Sequence, residues 1–317
     1  MNIWEDLPRP FFILAPMDDV TDTVFRQVIA GCAPPGLYFT EFVNADGLQS
    51  PGRNDLLKKL QFTDMERPLI AQLWGKIPEN YYKTAQELTG MGFDGIDINM
   101  GCPVKAVLKN GCCSALIDNR ELAKQIIDAT KRGAAGKLPV SVKTRLGIRE
   151  IDLSWHEFLL NQDLDALIIH GRTVKNMSDV PADWQTIARI RELRDKIAPK
   201  TKIIGNGDIL TRAQGLALSA EHGVDGVMVG RGVFQDPFVF AERSAWLEYT
   251  KEQKIALYRQ HVELFAATWK DKRRNIHTLN KFCKVYISGF DGAKELREQL
   301  MHAEDSDQLL RNLTAAM

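Results

Sequence analysis

Eight short apolar runs, separated by longer stretches of helical period, recur between residues 11 and 229 of this 317-residue chain. The runs are 11–15, 37–42, 69–74, 95–99, 139–144, 166–170, 202–205 and 226–229; helical period covers 22–30, 80–91, 121–132, 153–162, 184–197 and 213–222. Strands that alternate with helices pair in parallel through right-handed crossovers. Eight of them in roughly 240 residues is the size of a (β/α)8 TIM barrel. A doubly wound sheet would place a glycine-rich phosphate loop after its first strand, where this chain has Ala15-Pro16-Met17-Asp18-Asp19. The α/β reading is therefore a TIM barrel over 1–248, followed by a small all-helical unit over 249–317 in which 252–270 and 276–288 carry helical period.

Barrel sites lie at the carboxyl ends of the strands. Those ends carry Ala15-Pro16-Met17, Glu41, Gln72, Asn99 with Cys102, Lys143 with Arg145, His170 with Arg172, Asn206-Gly207-Asp208 and Gly230-Arg231. In Asp94-Gly95-Ile96-Asp97-Ile98-Asn99-Met100-Gly101-Cys102-Pro103, the period of two puts Asp97 and Asn99 on one face and leaves Cys102 just past the strand end. Lys143 and Arg145 likewise share a face, and buried cations need partners. Those partners are either carboxylates such as Glu41 or Asp97, or a ligand, and the convergence of so many polar strand ends favours a ligand. Glycines after the seventh and eighth runs suit the usual barrel phosphate site, with Arg231 to neutralise the charge. A phosphate anchor, a cation near a ring and a thiol opposite suggest flavin mononucleotide.

Composition limits the setting. Five cysteines, an odd number with no C-x-x-C pair, fit a reduced compartment and give no reason to place a metal. No apolar run reaches the ~18 residues that span a membrane. The N-terminus lacks a basic leader, so a cytoplasmic protein without a membrane partner is expected, and a monomer. The formal net charge is zero, yet residues 251–317 hold 12 Lys and Arg against 9 Asp and Glu. Lys270, Lys272, Arg273, Arg274, Lys281 and Lys284 concentrate that excess and can either track a phosphodiester backbone or form a solvated helix face.

Taken together, Ala15-Pro16-Met17 with Val20-Thr21-Asp22, Asn99-x-Gly101-Cys102-Pro103, Val142-Lys143-x-Arg145-Leu146-Gly147, His170-Gly171-Arg172-Thr173, Asn206-Gly207-Asp208 and Gly230-Arg231-Gly232 resemble the tRNA-dihydrouridine synthases. The resemblance implies a flavin-bearing barrel with a C-terminal helical tRNA-binding domain, reducing the uridine C5–C6 bond with NADPH as reductant. It implies FMN contacts at Ala15, Pro16, Met17, Gln72, Lys143, His170, Asn206, Gly207, Asp208, Gly230 and Arg231. Flavin N5 would give hydride to C6, and Cys102 would protonate C5. Asn99, Arg145 and Arg172 are assigned to the substrate base, and Lys272, Arg273 and Arg274 to tRNA. Met100, Pro103 and Val104 around Cys102 are expected to keep its thiol protonated. The chain departs from the family pattern at Asp18-Asp19, at Cys112-Cys113 and at Asn176, Ser178 and Val180. A flavin barrel acting on a free pyrimidine, and a flavin-bearing RNA-binding barrel without turnover, are the competing readings.

Overall fold

A computed structural model describes residues 2–270 and 274–317. Its strands are β1 (Phe11–Leu14), β2 (Tyr38–Phe39), β3 (Val43–Asn44), β4 (Leu69–Trp74), β5 (Gly95–Met100), β6 (Val140–Arg145), β7 (Ala166–His170), β8 (Lys202–Asn206) and β9 (Gly226–Val229). All pair in parallel in the order β1-β9-β8-β7-β6-β5-β4-β2, with β3 also on β4. A bridge between Ile13 and Leu37 brings the two ends of the sheet together, so the strands form the expected barrel. The helices Thr23–Cys32, Pro78–Met91, Arg120–Ala134, Leu153–Leu160, Trp184–Ile197 and Arg212–His222 fill the predicted crossovers. Five of them begin at a side-chain cap, Asp22, Asn119, Asp152, Asp183 or Thr211, each accepting from a first-turn N–H. Such a cap is worth about 1 kcal/mol.

The second run, expected as one strand over 37–42, is broken. Phe39 stands opposite Ile70, but Val43 stands opposite Leu73, so three residues face two and the strand bulges. At the bulge Gln72 N–H goes to the Thr40 hydroxyl at 3.1 Å instead of to a ladder carbonyl.

Strand alternation builds two cores. Phe12, Leu14, Ile96, Ile98, Val142, Leu167 and Val227 face the helices, while Phe11, Ile13, Leu37, Phe39, Ile70, Ala166, Ile168, Ile204 and Met228 fill the barrel. A short N-terminal helix, Ile3–Asp6, which the sequence reading missed, adds Trp4 to this inner core beside Phe11.

Beyond the barrel lie helices Lys251–Thr268, Asn280–Tyr286, Ala293–Met301 and Ser306–Ala315, the last two unforeseen. Their apolar residues are continuous with the outer barrel core. Phe282 stacks on Phe25 with centroids 4.8 Å apart, and His261 packs against both rings. Arg274, expected to meet tRNA, instead points inward. It is 8% exposed, lies over Trp269 and pairs with the fully buried Glu41. A buried carboxylate requires such a partner, and that requirement overrides the surface role read from the basic run. Lys272 and Arg273 fall outside the described residues. No helix among the described residues is long and apolar enough to cross a membrane.

Removing one member of a buried pair leaves the other charge uncompensated. Arg274→Ala is therefore expected to lower unfolding stability by about 3–5 kcal/mol, read from the denaturant midpoint, whereas substitution of the exposed Lys270 leaves it unchanged.

Candidate active site at the mouth of the barrel

The cavity that opens at the carboxyl ends of the strands has a volume of about 590 Å³. Ala15, Pro16 and Met17 line it after β1, Lys143 and Arg145 on β6, and His170 on β7. Asn206 lines it at the end of β8, Gly207 and Asp208 just beyond, and Gly230 and Arg231 after β9. Of the residues expected around a flavin, only Gln72 is absent from this lining. Gln214 and Gln235 join it unforeseen; their position just after the two glycine turns was the only available signal. Gly207 has φ +130°, and a Cβ there would sit 2.6 Å from that of Ala182, so the turn requires glycine. At Gly230 a Cβ would meet only Ala15, at 3.7 Å, so glycine there keeps the cavity clear rather than relieving a clash.

Among the described residues four cations surround the cavity, but they are not equivalent. Arg172 makes two bonds to Asp208, at 2.7 and 2.6 Å, and a third to the Val180 carbonyl. Asp208, which also accepts from Ala182 N–H at 2.8 Å, is held below the usual carboxylate range chiefly by Arg172. Arg145 gives its N–H groups to the carbonyls of Gly101, Thr173 and Met177 at 2.9–3.1 Å. Both arginines were assigned to the substrate; both are buried struts, because a guanidinium that cannot reach water must find acceptors in the protein. Lys143 and Arg231 are left to act on a ligand. Lys143 donates to Asn206 Oδ1 at 3.1 Å, and burial followed by the nearby Arg145 lowers its pKa to about 8. Arg231 touches Asp208 at 3.3 Å but has 61% of its side chain exposed. Burial, with Lys143 the foremost of the cations around it, pushes His170 down to about 2, so its imidazole is neutral. With Asp208 already paired, these donors suit an anion.

Cys102 lies past the end of β5 and does not itself line this cavity; its turn is joined to the lining through Arg145, which donates to the Gly101 carbonyl. Asn99 Oδ1 accepts from Gly101 N–H at 3.1 Å and Cys102 N–H at 3.0 Å, and Ser114 Oγ donates to the Cys102 carbonyl at 2.7 Å. Asn99 was expected to hold the substrate base, yet its amide is engaged in this turn, with Nδ2 on Gln72. The surroundings of the thiol differ from those expected. Met100 belongs to the outer core, and the sulfur meets the Cys113 thiol, the Val104 N–H and the charge of Arg145. These contacts, Cys113 foremost, outweigh burial and bring Cys102 down to about 7, while Cys113 is pushed up well above its ordinary value.

The dihydrouridine synthase family model matches residues 13–317. A probable tRNA-dihydrouridine synthase of Staphylococcus aureus (strain COL) is 48% identical over 306 residues, covering 96% of this chain and 92% of that protein. The probable tRNA-dihydrouridine synthase 2 of Bacillus subtilis (strain 168) is 45% identical over 312 residues, 97% and 94% of the two chains. Among solved structures, morphinone reductase in complex with tetrahydroNAD aligns with a TM-score of 0.51 at 15% identity, covering 74% of this chain and 85% of that one. That likeness is one of fold.

The thiolate is the species that alkylates. The rate of Cys102 modification by iodoacetamide, followed by peptide mass spectrometry, is expected to rise through a midpoint near pH 7. Cys113→Ala removes the foremost stabilising contact and should move that midpoint upward.

Proposed function

Starting from a chain that belongs to the dihydrouridine synthase family, we propose that it reduces the C5–C6 double bond of particular uridines in tRNA, with FMN as resident cofactor and NADPH as reductant. The observation that carries this reading is a cysteine whose backbone is held by Asn99 and Ser114, in a turn that Arg145 ties to a cavity of anion-accepting donors. That cavity lies within the ~300–1,000 Å³ of small-molecule sites. Arg231 and the glycine turns after β8 and β9 would hold the phosphate, and Lys143, neutral His170 and the Ala15-Pro16-Met17 segment the ring, while Gln72 is engaged with Asp97 and Asn99 away from the lining. Bound there, FMN supplies the hydride that goes to C6 of the uracil.

The chain's own contribution is the proton. Cys102 Sγ–H delivers it to C5, and the thiolate left behind is stabilised by the Cys113 thiol and Arg145. A general acid works best when its pKa is near the operating pH, so the lowered value suits proton transfer and recovery alike. The target base must leave its stack to reach the mouth. The helical segment 249–317 is read as the tRNA-binding domain. With Arg274 internal, its contacts fall to Lys272 and Arg273 and to the exposed Lys270, Lys281 and Lys284. The same reading makes the protein a cytoplasmic monomer.

Cys102→Ala is expected to lower dihydrouridine formation by about 10²–10⁴-fold, measured by nucleoside mass spectrometry of tRNA incubated with protein and NADPH, while tRNA binding and flavin content persist. Turnover of a free pyrimidine but not of tRNA would overturn the substrate assignment. Lys281→Glu with Lys284→Glu should weaken tRNA binding without preference for sequence and lower the salt dependence of log Kd by about one per lost phosphate contact.

A further inference from the structure

Beneath the Cys102 turn, Gln72, Asp97 and Ser141 are cross-strand partners on β4, β5 and β6, all fully buried. Ser141 Oγ donates to Asp97 Oδ1 at 2.6 Å, and Gln72 Nε2 donates to Asp97 Oδ2 at 2.7 Å. Gln72 Oε1 then accepts from Asn99 Nδ2 at 3.1 Å, and Asn99 Oδ1 accepts the N–H groups of Gly101 and Cys102.

The two ends of this chain of bonds have fixed character. Burial raises Asp97 to about 7, but a proton it takes up can sit on the Oδ1 that faces Ser141, so Oδ2 accepts from Gln72 in either state; a backbone N–H only donates. The two amides between them therefore have a single orientation that satisfies every atom. Turning either one sets NH2 against N–H at the turn, or carbonyl against carboxylate at the base. Since buried polar groups left without partners are costly, the carboxylate at the bottom selects the geometry at the top.

We propose that Asp97 is a positioning residue for Cys102: through the ordered amides of Gln72 and Asn99 it fixes the peptide N–H groups of the turn and so the place of the thiol. Its importance for uridine reduction rests on the function proposed above; its effect on the turn does not.

The test removes the acceptor at 97 and then restores it without its charge. Asp97→Leu leaves Gln72 Nε2 without a partner, so the two amides lose their imposed orientation and the turn its fixed acceptor. Asp97→Asn keeps the relay, because its Oδ1 can accept from Gln72 Nε2 while its Nδ2 donates to Ser141 Oγ, a hydroxyl that accepts as well as donates. The first readout is the pH midpoint of Cys102 alkylation in the purified, flavin-loaded full chain without tRNA. Both variants remove the same charge beside Lys143, which also feels Cys102, so comparing them separates the hydrogen-bond relay from electrostatics; Cys113, Arg145 and Asp18 around the thiol are unchanged in both.

Asp97→Leu is expected to raise the midpoint by about one unit toward the ~8.5 of a free thiol and to lower kcat by about 10²-fold, with the Kd for tRNA unchanged. Asp97→Asn should hold the midpoint near the wild-type value and keep a kcat at least tenfold above that of Asp97→Leu. A wild-type midpoint in Asp97→Leu, or a midpoint in Asp97→Asn shifted as far as in Asp97→Leu, overturns the proposal. If Asp97→Leu does not fold, Asn99→Ala at the open end of the relay should give the same upward midpoint, and an unchanged midpoint there is equally decisive. Because alkylation is read without substrate, a protein that proved inactive on tRNA would still report on the relay.

Discussion

Every strand of a closed parallel barrel sends alternate side chains into a space that water enters only from the ends, so an inward polar group must find its partner inside or at a mouth. Here the inward positions change character with height. Phe11, Ile13, Leu37, Phe39, Ile70, Ile168, Ile204 and Met228 fill the lower part, and two residues further along their strands stand Glu41, Gln72, His170, Asn206 and Gly230. The apolar lower half sets a floor; the groups above it cannot withdraw downward. Each is satisfied sideways or upward, which is why the mouth consists of connected polar chains rather than isolated residues.

Electrostatics then decides which of those groups remain for chemistry. Arg145 and Arg172 look like ligand groups because they sit beside Lys143 and His170 in the sequence, but burial and acceptors within the protein make them structural. One ties the Cys102 loop to the segment after β7, and the other is closed off by Asp208. Their charge still acts through space. It is among the influences that keep His170 neutral, and Arg145 lowers the Cys102 thiol. The two arginines whose donors are taken up by carbonyls and a carboxylate tune the site, while Lys143, with one bond to Asn206, and the largely exposed Arg231 have donors left for a ligand.

The barrel was legible because its signals are local. Apolar runs and helical period gave the strands over 69–74, 166–170 and 226–229 at their observed limits, and the glycine turns marked the cavity. What escaped depended on contacts between distant segments. The bulge at 40–42 depends on the Thr40 hydroxyl meeting Gln72, and the burial of Arg274 on a glutamate 233 residues away. The lowered thiol of Cys102 depends on Cys113, whose sulfur comes from a separate short helix, Cys113–Asp118. Alternation did place Asp97 and Asn99 on one face, but it cannot say that an amide from the neighbouring strand joins them.

The departures from the family pattern acquire a physical reading at the junction between barrel and tail. Asp19 adopts φ +56°, a left-handed conformation that glycine takes freely and that aspartate tolerates better than most residues. Holding a non-glycine residue there costs of order 1 kcal/mol, against which stands one contact that glycine could not make, that of the carboxylate. Asp19 N–H reaches Glu41 at 2.8 Å, its carbonyl accepts from Lys281 at 2.9 Å, and its carboxylate lies 3.8 Å from Arg274. Neighbouring Asp18 pairs with Lys59, which also approaches Glu41 at 3.9 Å. The buried Glu41 carboxylate is thus the meeting point of the first strand's loop, the bulged second strand and the helical tail. Asp19 thus fastens the tail to the loop after the first strand and Asp18 ties that loop to Lys59, so the tail is anchored at the same buried charge that the barrel interior cannot leave unpaired.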